Sequence, residues 1–118
     1  MLYYASGVLD MPGAVFTASH NPAGYNGIKM CLGGAAPIAG DTGLDAIKAM
    51  AIAGPDPSGR TGARTEQHML PGYVDHVRSF VDVSSLRPLK VVADTANGMG
   101  GLVVPAVFDG LPFHLDHM

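Results

Sequence analysis

The sequence has a single cysteine and few charged side chains, and both shortages narrow the classes of protein it can represent. One cysteine, Cys31, cannot form a disulfide within the chain, which is consistent with a reducing cytoplasm. Charged residues make up 14% of the 118 and the formal net charge is −3, so neither nucleic acid nor an anionic membrane surface is favoured as a partner. Residues 1–9 carry no basic segment and too short an apolar run for a signal peptide or a membrane span. We therefore expect a soluble cytoplasmic protein.

Apolar residues and turn formers dominate what is present. Hydrophobic residues make up 47% of the chain, and 16 glycines and 9 prolines mark many turns. This composition argues against disorder and suffices for about one ordinary domain. The spacing of apolar residues predicts an α/β order of elements: helices over 2–9, from about 42 to 53, over 70–81 and over 101–108, and strands over 14–17, 27–32, 89–94 and 111–115.

Some of these elements carry sharper expectations. Residues 14–17 form a short apolar run that we expect to be buried, and Cys31 is expected to be a small buried residue on the following strand. Thr42 is placed to cap the second helix. The strand, glycine-rich turn, helix and strand after residue 89 predict a βαβ unit with a parallel sheet.

The segment between the first two strands concentrates reactive and backbone-shaping residues. It offers one hydroxyl at Ser19, an imidazole at His20 and, ten residues after the hydroxyl, the amine of Lys29. Proline, glycine and an Asn26-Gly27 turn signal shape the backbone between them. In a random sequence, a serine in such a loop more often only closes a turn. The segment in full is Thr17-Ala18-Ser19-His20-Asn21-Pro22-Ala23-Gly24-Tyr25-Asn26-Gly27-Ile28-Lys29.

A second glycine-rich segment, residues 91–101, follows a strand and invites a nucleotide-binding interpretation. That interpretation fails on spacing, because the third glycine of a dinucleotide fingerprint would fall at Val103. The segment also lacks the Gly-Lys-Ser/Thr of a P-loop. A tight connection from strand to helix accounts for it better.

Both segments, in this order, resemble the α-D-phosphohexomutase superfamily, which includes phosphomannomutase and phosphoglucomutase. The segment around Ser19 is similar to that family's active-site serine loop, and residues 91–101 are similar to the opening strand and turn of its second domain. The resemblance implies three-layer α/β units with mixed or parallel sheets, incomplete in this chain. Residues 1–82 would form the later part of domain 1, 83–88 a linker, and 89–118 the first βα unit of domain 2. We accordingly expect a fragment, a truncated frame or a gene-model error.

The resemblance also implies roles for individual residues. Ser19 would be the phosphoserine that donates to a hexose phosphate and is rephosphorylated from a bisphosphate intermediate. Lys29 stands in the family's Asn-Gly-Ile-Lys sequence and would be the general acid/base at the sugar hydroxyl. His20 would bond the phosphate or tune Ser19, although a purely structural histidine is an equal alternative. Mg²⁺ would bind the phosphoryl oxygen on Ser19, but the family's Asp-Gly-Asp-Gly-Asp-Arg metal loop is absent from this sequence.

Two other functions compete with an interconversion of hexose 6-phosphate and hexose 1-phosphate. The chain could be a catalytically dead α/β remnant or partner-binding fragment, which the missing metal loop favours. A serine hydrolase using Ser19 and His20 is a poor alternative, since there is no Gly-x-Ser-x-Gly elbow. Thr17 and Tyr25 lean toward the mannose and glucose mutases of the family. The preferred sugar and the oligomeric state stay open.

Overall fold

A computed structural model describes residues 1–18, 21–22, 24–54, 62–96 and 98–118. It is a small mixed α/β structure whose described strands form two sheets of two strands each. The elements in chain order are α1 (Leu2–Leu9), β1 (Gly13–Phe16), β2 (Ile28–Cys31), α2 (Asp45–Ala53), α3 (Leu70–Arg78), β3 (Leu89–Ala93), α4 (Gly100–Phe108) and β4 (Phe113–His117). The α/β class is confirmed, and the three-layer arrangement stays a prediction.

The chain divides into two compact units, Met1–Gln67 and His68–Met118. The second unit holds α3 together with β3, α4 and β4. The division of the family's domains at residues 83–88 stays a prediction. Residues 83–85 themselves form one turn of 3₁₀ helix.

The first unit is built on an antiparallel hairpin with α1 against it. Phe16 pairs with Ile28 and Gly13 pairs with Cys31. The side chain of Cys31 is only 1% exposed, as expected from the sequence. A Cβ built on Gly13 would lie 2.7 Å from Cδ1 of Leu2, so α1 packs closely where this glycine has no side chain.

Ser6 fixes the end of α1 to the segment after β2. Its buried hydroxyl shares one proton between the carbonyls of Met11 (2.7 Å) and Leu32 (2.9 Å), and accepts from the N–H of Ala35 (3.2 Å). These partner groups lie outside the α-helices and strands, so no regular backbone hydrogen bond satisfies them. Leaving such a group buried and unpaired would cost free energy. Ser6 therefore links the end of α1 to the segment before β1 and to the segment after β2.

Two expectations for the strands and helices of this unit are wrong. β1 is not a buried strand: Phe16 is 80% exposed and Val15 37%. A two-stranded sheet gives each side chain only one neighbouring strand, which buries little apolar surface. Thr42 does not cap α2; it lies in a preceding π-helical turn, where its hydroxyl accepts from the N–H of Ala39 at 2.6 Å.

In the second unit, β3 and β4 are parallel neighbours joined through α4, which confirms the predicted βαβ unit. The register runs from Leu89 opposite Phe113 to Ala93 opposite His117. Side chains alternate between faces along both strands. The rings of Phe113 and Phe108 lie 5.5 Å apart between centroids, so α4 packs against β4.

The helix predicted over 70–81 ends early, at Arg78. Val74 is its buried residue, whereas Phe80 (73% exposed) and Val81 (54% exposed) lie beyond its end and outside the expected apolar face. The backbone tightens there into i→i−3 turns: the N–H of Phe80 donates to the carbonyl of Val77 (3.4 Å) and that of Val81 to the carbonyl of Arg78 (3.2 Å). The Arg78 guanidinium donates to the carbonyls of Val107 (3.0 Å) and Ala106 (3.4 Å) and to that of Asp109, at the end of α4. A cation there pairs with carbonyls that the helix leaves unsatisfied.

Candidate functional site

The loop of residues 17–27 connects β1 to β2 and is closed at its base by a backbone hydrogen bond. The N–H of Thr17 donates to the carbonyl of Gly27 at 2.9 Å, continuing the register that pairs Phe16 with Ile28. The two chain segments that enter and leave the loop are therefore held at the separation of neighbouring strands.

Short backbone turns shape the described part of the loop. The N–H of Asn21 donates to the carbonyl of Ala18 at 3.0 Å, and that of Tyr25 to the carbonyl of Pro22 at 2.9 Å. The turn expected at Asn26-Gly27 is not there. Gly27 instead continues the strand pairing and does not have a positive φ. Cross-strand pairing with Thr17 outweighs the local turn preference of this dipeptide.

Lys29 lies on β2, two residues beyond the closure of the loop. It pairs with Val15 across the hairpin, and its side chain is exposed. Since residues i and i+2 of a strand share a face, Lys29 points to the same side of the hairpin as position 27. An amine there has water access and a fixed anchoring point at the base of the loop.

Ser19 and His20 lie outside the described residues, so their predicted roles stay predictions. Thr17 and Ala18 on one side, and Asn21 on the other, are described. The structure therefore fixes the backbone that carries the serine segment on both sides. It also fixes the strand that carries Lys29.

A cavity of ≈ 460 Å³ opens at the base of the loop. It is formed by residues from both ends of the loop: Phe16, Thr17, Ala18, Asn26, Gly27 and Ile28. Thr17 and Asn26 are polar residues of this lining, and Phe16 and Ile28 are apolar ones. Such a mixture suits a small polar ligand.

The described residues do not by themselves make a magnesium site. No group of three or more His, Cys, Asp or Glu side chains could hold a metal among the residues the structure describes. The loop of residues 17–27 contains no carboxylate in its sequence. Mg²⁺ prefers carboxylate and phosphate oxygens. The predicted ligand on Ser19, a phosphoryl oxygen, would need carboxylates from elsewhere.

The second glycine-rich segment connects β3 to α4, as predicted, and lies at the carboxyl edge of the parallel strands. The carboxylate of Asp94 accepts from the N–H of Ala96 at 2.9 Å, and the N–H of Gly98 donates to the carbonyl of Thr95 at 3.0 Å. A Cβ on Gly100 would lie 2.8 Å from Cγ2 of Thr95. The glycine thus lets α4 begin directly against the turn.

One feature of the site escapes the sequence patterns. A Cβ built on Gly27 would lie 2.5 Å from the carbonyl oxygen of Thr17. The sequence shows a glycine at this position, but its close neighbour is far away in the chain. The contact follows from the register of the hairpin, which places position 27 beside Thr17.

Comparison with known proteins gives consistent results. Residues 1–54 match the model of the phosphoglucomutase/phosphomannomutase alpha/beta/alpha domain I. The chain is 39% identical over 110 residues to a phosphomannomutase of Salmonella montevideo, covering 90% of this chain and 24% of that protein. It is 39% identical over 117 residues to a protein named phosphohexose mutases from Xanthomonas campestris, covering 95% and 25%. A phosphomannomutase of Escherichia coli K12 is also 39% identical over 110 residues.

The chain spans about a quarter of the length of these curated relatives, 24–25%. Within the part of the chain that the structure describes, no helix is both long and apolar enough to cross a membrane. The match of residues 1–54 and the alignment of 90% or more of the chain agree with the resemblance seen in the serine loop and in residues 91–101. This chain is therefore similar in sequence to members of the phosphohexomutase superfamily.

Proposed function

We propose that this chain supplies the phosphoserine segment of a cytoplasmic hexose phosphate mutase, which interconverts the 6-phosphate and 1-phosphate of mannose, glucose or both. The observation that carries the proposal is the loop of residues 17–27, closed between Thr17 and Gly27 and followed on β2 by Lys29. The names of the relatives support it, since two of those compared are phosphomannomutases and one is named phosphohexose mutases.

In the proposed reaction the phosphorylated form of Ser19 is the donor. A hydroxyl oxygen of the hexose monophosphate attacks the phosphorus, the bond from phosphorus to Oγ of Ser19 breaks, and a hexose bisphosphate forms. The proton of the attacking hydroxyl passes to Lys29 as base, while Oγ of Ser19 takes up a proton from solvent water. After the bisphosphate reorients, the reverse transfer from its other phosphate restores phosphoserine and releases the isomeric monophosphate.

Lys29 is suited to this proton transfer by its place on the hairpin. It stands on a strand whose register against β1 is fixed, so its anchoring point cannot move independently of the loop base. A positioned general acid or base contributes about 10²- to 10⁴-fold to a rate. An ammonium form of the same side chain would also offset negative charge on the moving phosphoryl group.

His20 and a divalent cation complete the proposal. His20 would hydrogen-bond the phosphoryl oxygens. Mg²⁺ would take one ligand from the phosphoryl group on Ser19 and supply charge neutralisation when bound. The loop itself offers the ion no carboxylate ligand.

A second candidate function is a catalytically inactive remnant that folds or binds a partner. The observation that favours it is the absence of carboxylates from the sequence of residues 17–27. Under this alternative the serine loop would persist without turnover.

A mutase assay on the intact protein, with any sequence that its gene carries on either side of residues 1–118, separates the two candidates. Mannose 1-phosphate and glucose 1-phosphate are supplied with Mg²⁺ and a catalytic amount of hexose 1,6-bisphosphate, and formation of the 6-phosphate is followed. We expect turnover that Ser19→Ala abolishes and that Ser79→Ala, an exposed serine after α3, retains. No turnover by a folded wild type, or equal turnover by Ser19→Ala, would contradict the mutase proposal.

A further inference from the structure

Gly27 occupies a position where no other residue fits the observed backbone. A Cβ there would lie 2.5 Å from the carbonyl oxygen and 3.6 Å from the carbonyl carbon of Thr17. Real Cβ atoms essentially never approach another atom closer than 3.0 Å. The obstacle is backbone and cannot rotate away as a flexible side chain would. Adding one carbon must therefore move one strand end away from the other.

This contact coincides with the hydrogen bond that closes the loop. The N–H of Thr17 donates to the carbonyl of Gly27 at 2.9 Å. Ser19 follows Thr17 by two residues, and Lys29 follows Gly27 by two residues. The pair at positions 17 and 27 is thus the structural link between the segment with the nucleophile and the strand with the amine.

We propose that Gly27 is a positioning residue for phosphoryl transfer: by lacking a side chain it lets the two strand ends close and sets the distance between the serine segment and Lys29. This inference rests on the proposed function. Gly27 itself does not touch the reacting atoms in this account. It acts through the placement of the groups that do.

The size of the displacement indicates the expected effect. Relieving the contact requires the Cβ to oxygen distance to grow from 2.5 Å to beyond 3.0 Å. A misplacement on the order of 1 Å can cost about 100-fold in rate, because transfer depends on near-attack alignment. We therefore expect Gly27→Ala to lower the rate constant of transfer about 10- to 100-fold.

Gly24 offers a matched control in the same loop. A Cβ built on Gly24 meets no atom of the described residues within 4 Å. Gly24→Ala makes the same chemical change, one added methyl group, without forcing the backbone apart. Any general effect of replacing a loop glycine by alanine appears in both variants.

The test is a single-turnover reaction of the intact, dephosphorylated protein with saturating glucose 1,6-bisphosphate. Intact mass, sampled over time, gives both the rate constant and the final fraction phosphorylated. A positioning role lowers the rate constant and leaves the final fraction unchanged. A merely structural role lowers the fraction that is folded and competent, and leaves the rate constant of the remaining molecules unchanged.

The expected result is a rate constant about 10- to 100-fold lower in Gly27→Ala, with Gly24→Ala close to wild type and both reaching the wild-type final fraction. A wild-type rate constant in Gly27→Ala, an equal loss in both variants, or a loss of final fraction alone, including complete loss, would overturn the inference. Ser19→Ala distinguishes this failure from failure of the proposed function. If wild type gains a phosphoryl group that Ser19→Ala does not, the function stands whatever Gly27→Ala does.

Discussion

The hydroxyl oxygen of Thr95 lies 2.9 Å from Nε2 of His117, so a side-chain hydrogen bond joins the turn after β3 to the last residue of β4. Backbone bonds flank it: the N–H of Thr95 donates to the carbonyl of Met118 at 3.1 Å, and the N–H of Met118 donates to that of Ala93 at 2.9 Å. The start of the glycine-rich turn is therefore fixed to the end of β4.

This bond predicts a difference between two substitutions at one position. Thr95→Val keeps the shape of the side chain and removes the hydroxyl, and we expect it to lower the free energy of unfolding by about 1 kcal/mol. Thr95→Ser keeps the hydroxyl and should lose less. Urea unfolding followed by circular dichroism measures both. Equal losses in the two variants would show that the hydroxyl contributes nothing.

Replacing Arg78 should lower the free energy of unfolding by a larger amount, because its guanidinium donates to the carbonyls of Ala106, Val107 and Asp109. Arg78→Met keeps much of the apolar stem and leaves these acceptors unpaired, and we expect a loss of about 1–3 kcal/mol in the free energy of unfolding. Arg64→Met is the control. Arg64 forms an ion pair with Glu66 at 2.5 Å, with both side chains more than four-fifths exposed (86% and 82%). An exposed pair contributes little, so similar losses in the two variants would refute the role of Arg78.

The hydrogen bonds to Asp82 indicate how the free energy of unfolding changes with pH. The hydroxyl of Ser84, at 2.6 Å, and then its N–H, at 3.0 Å, lower the pKa of the Asp82 carboxyl from its usual range. The ionised form therefore favours folding. Its contribution is fully present above the unfolded pKa of about 3.9 and is lost as the pH falls through the lower folded value.

The test for Asp82 is an NMR titration of its carboxyl carbon. We expect Ser84→Ala to raise the pKa of Asp82 toward its usual range, because the largest stabilising hydrogen bond to the carboxylate is removed. An unchanged midpoint in Ser84→Ala would contradict the assigned cause.

Replacing Lys29 should lower turnover and leave the protein folded. In the intact protein, Lys29→Met should lower the mutase rate constant about 10²- to 10⁴-fold, the usual contribution of a general acid or base. Lys48→Met removes an exposed amine from α2, outside residues 17–29, and should retain activity. The measurement is the coupled assay for 6-phosphate formation. Equal rates in Lys29→Met and Lys48→Met would remove Lys29 from the mechanism.

Local patterns predict the elements of this fold well where local preferences decide the structure. Helix α1 agrees with its predicted bounds, and β3, α4 and β4 lie within about two residues of theirs. In the last case an apolar strand, a glycine-rich turn and a second apolar run suffice to indicate a parallel pair. The serine loop is likewise visible as a loop between two strands.

What the sequence does not predict depends on contacts between distant residues. Helix α3 ends at Arg78, whose side chain reaches carbonyls of α4, and Phe80 and Val81 lie outside the helix that their spacing indicates. The turn expected at Asn26-Gly27 gives way to pairing between Gly27 and Thr17. Burial is also a property of the assembled sheet, which is why Phe16 is exposed although its strand is apolar.

The central claim is that Ser19 carries the phosphoryl group, and intact-mass measurement tests it most directly. The intact protein is dephosphorylated, incubated with glucose 1,6-bisphosphate and Mg²⁺, and compared with Ser19→Ala treated in the same way; fragmentation then locates the added mass. We predict that wild type gains one phosphoryl group on Ser19 and that the variant gains none. A folded wild type with unchanged mass, or an equal gain in Ser19→Ala, would contradict the account.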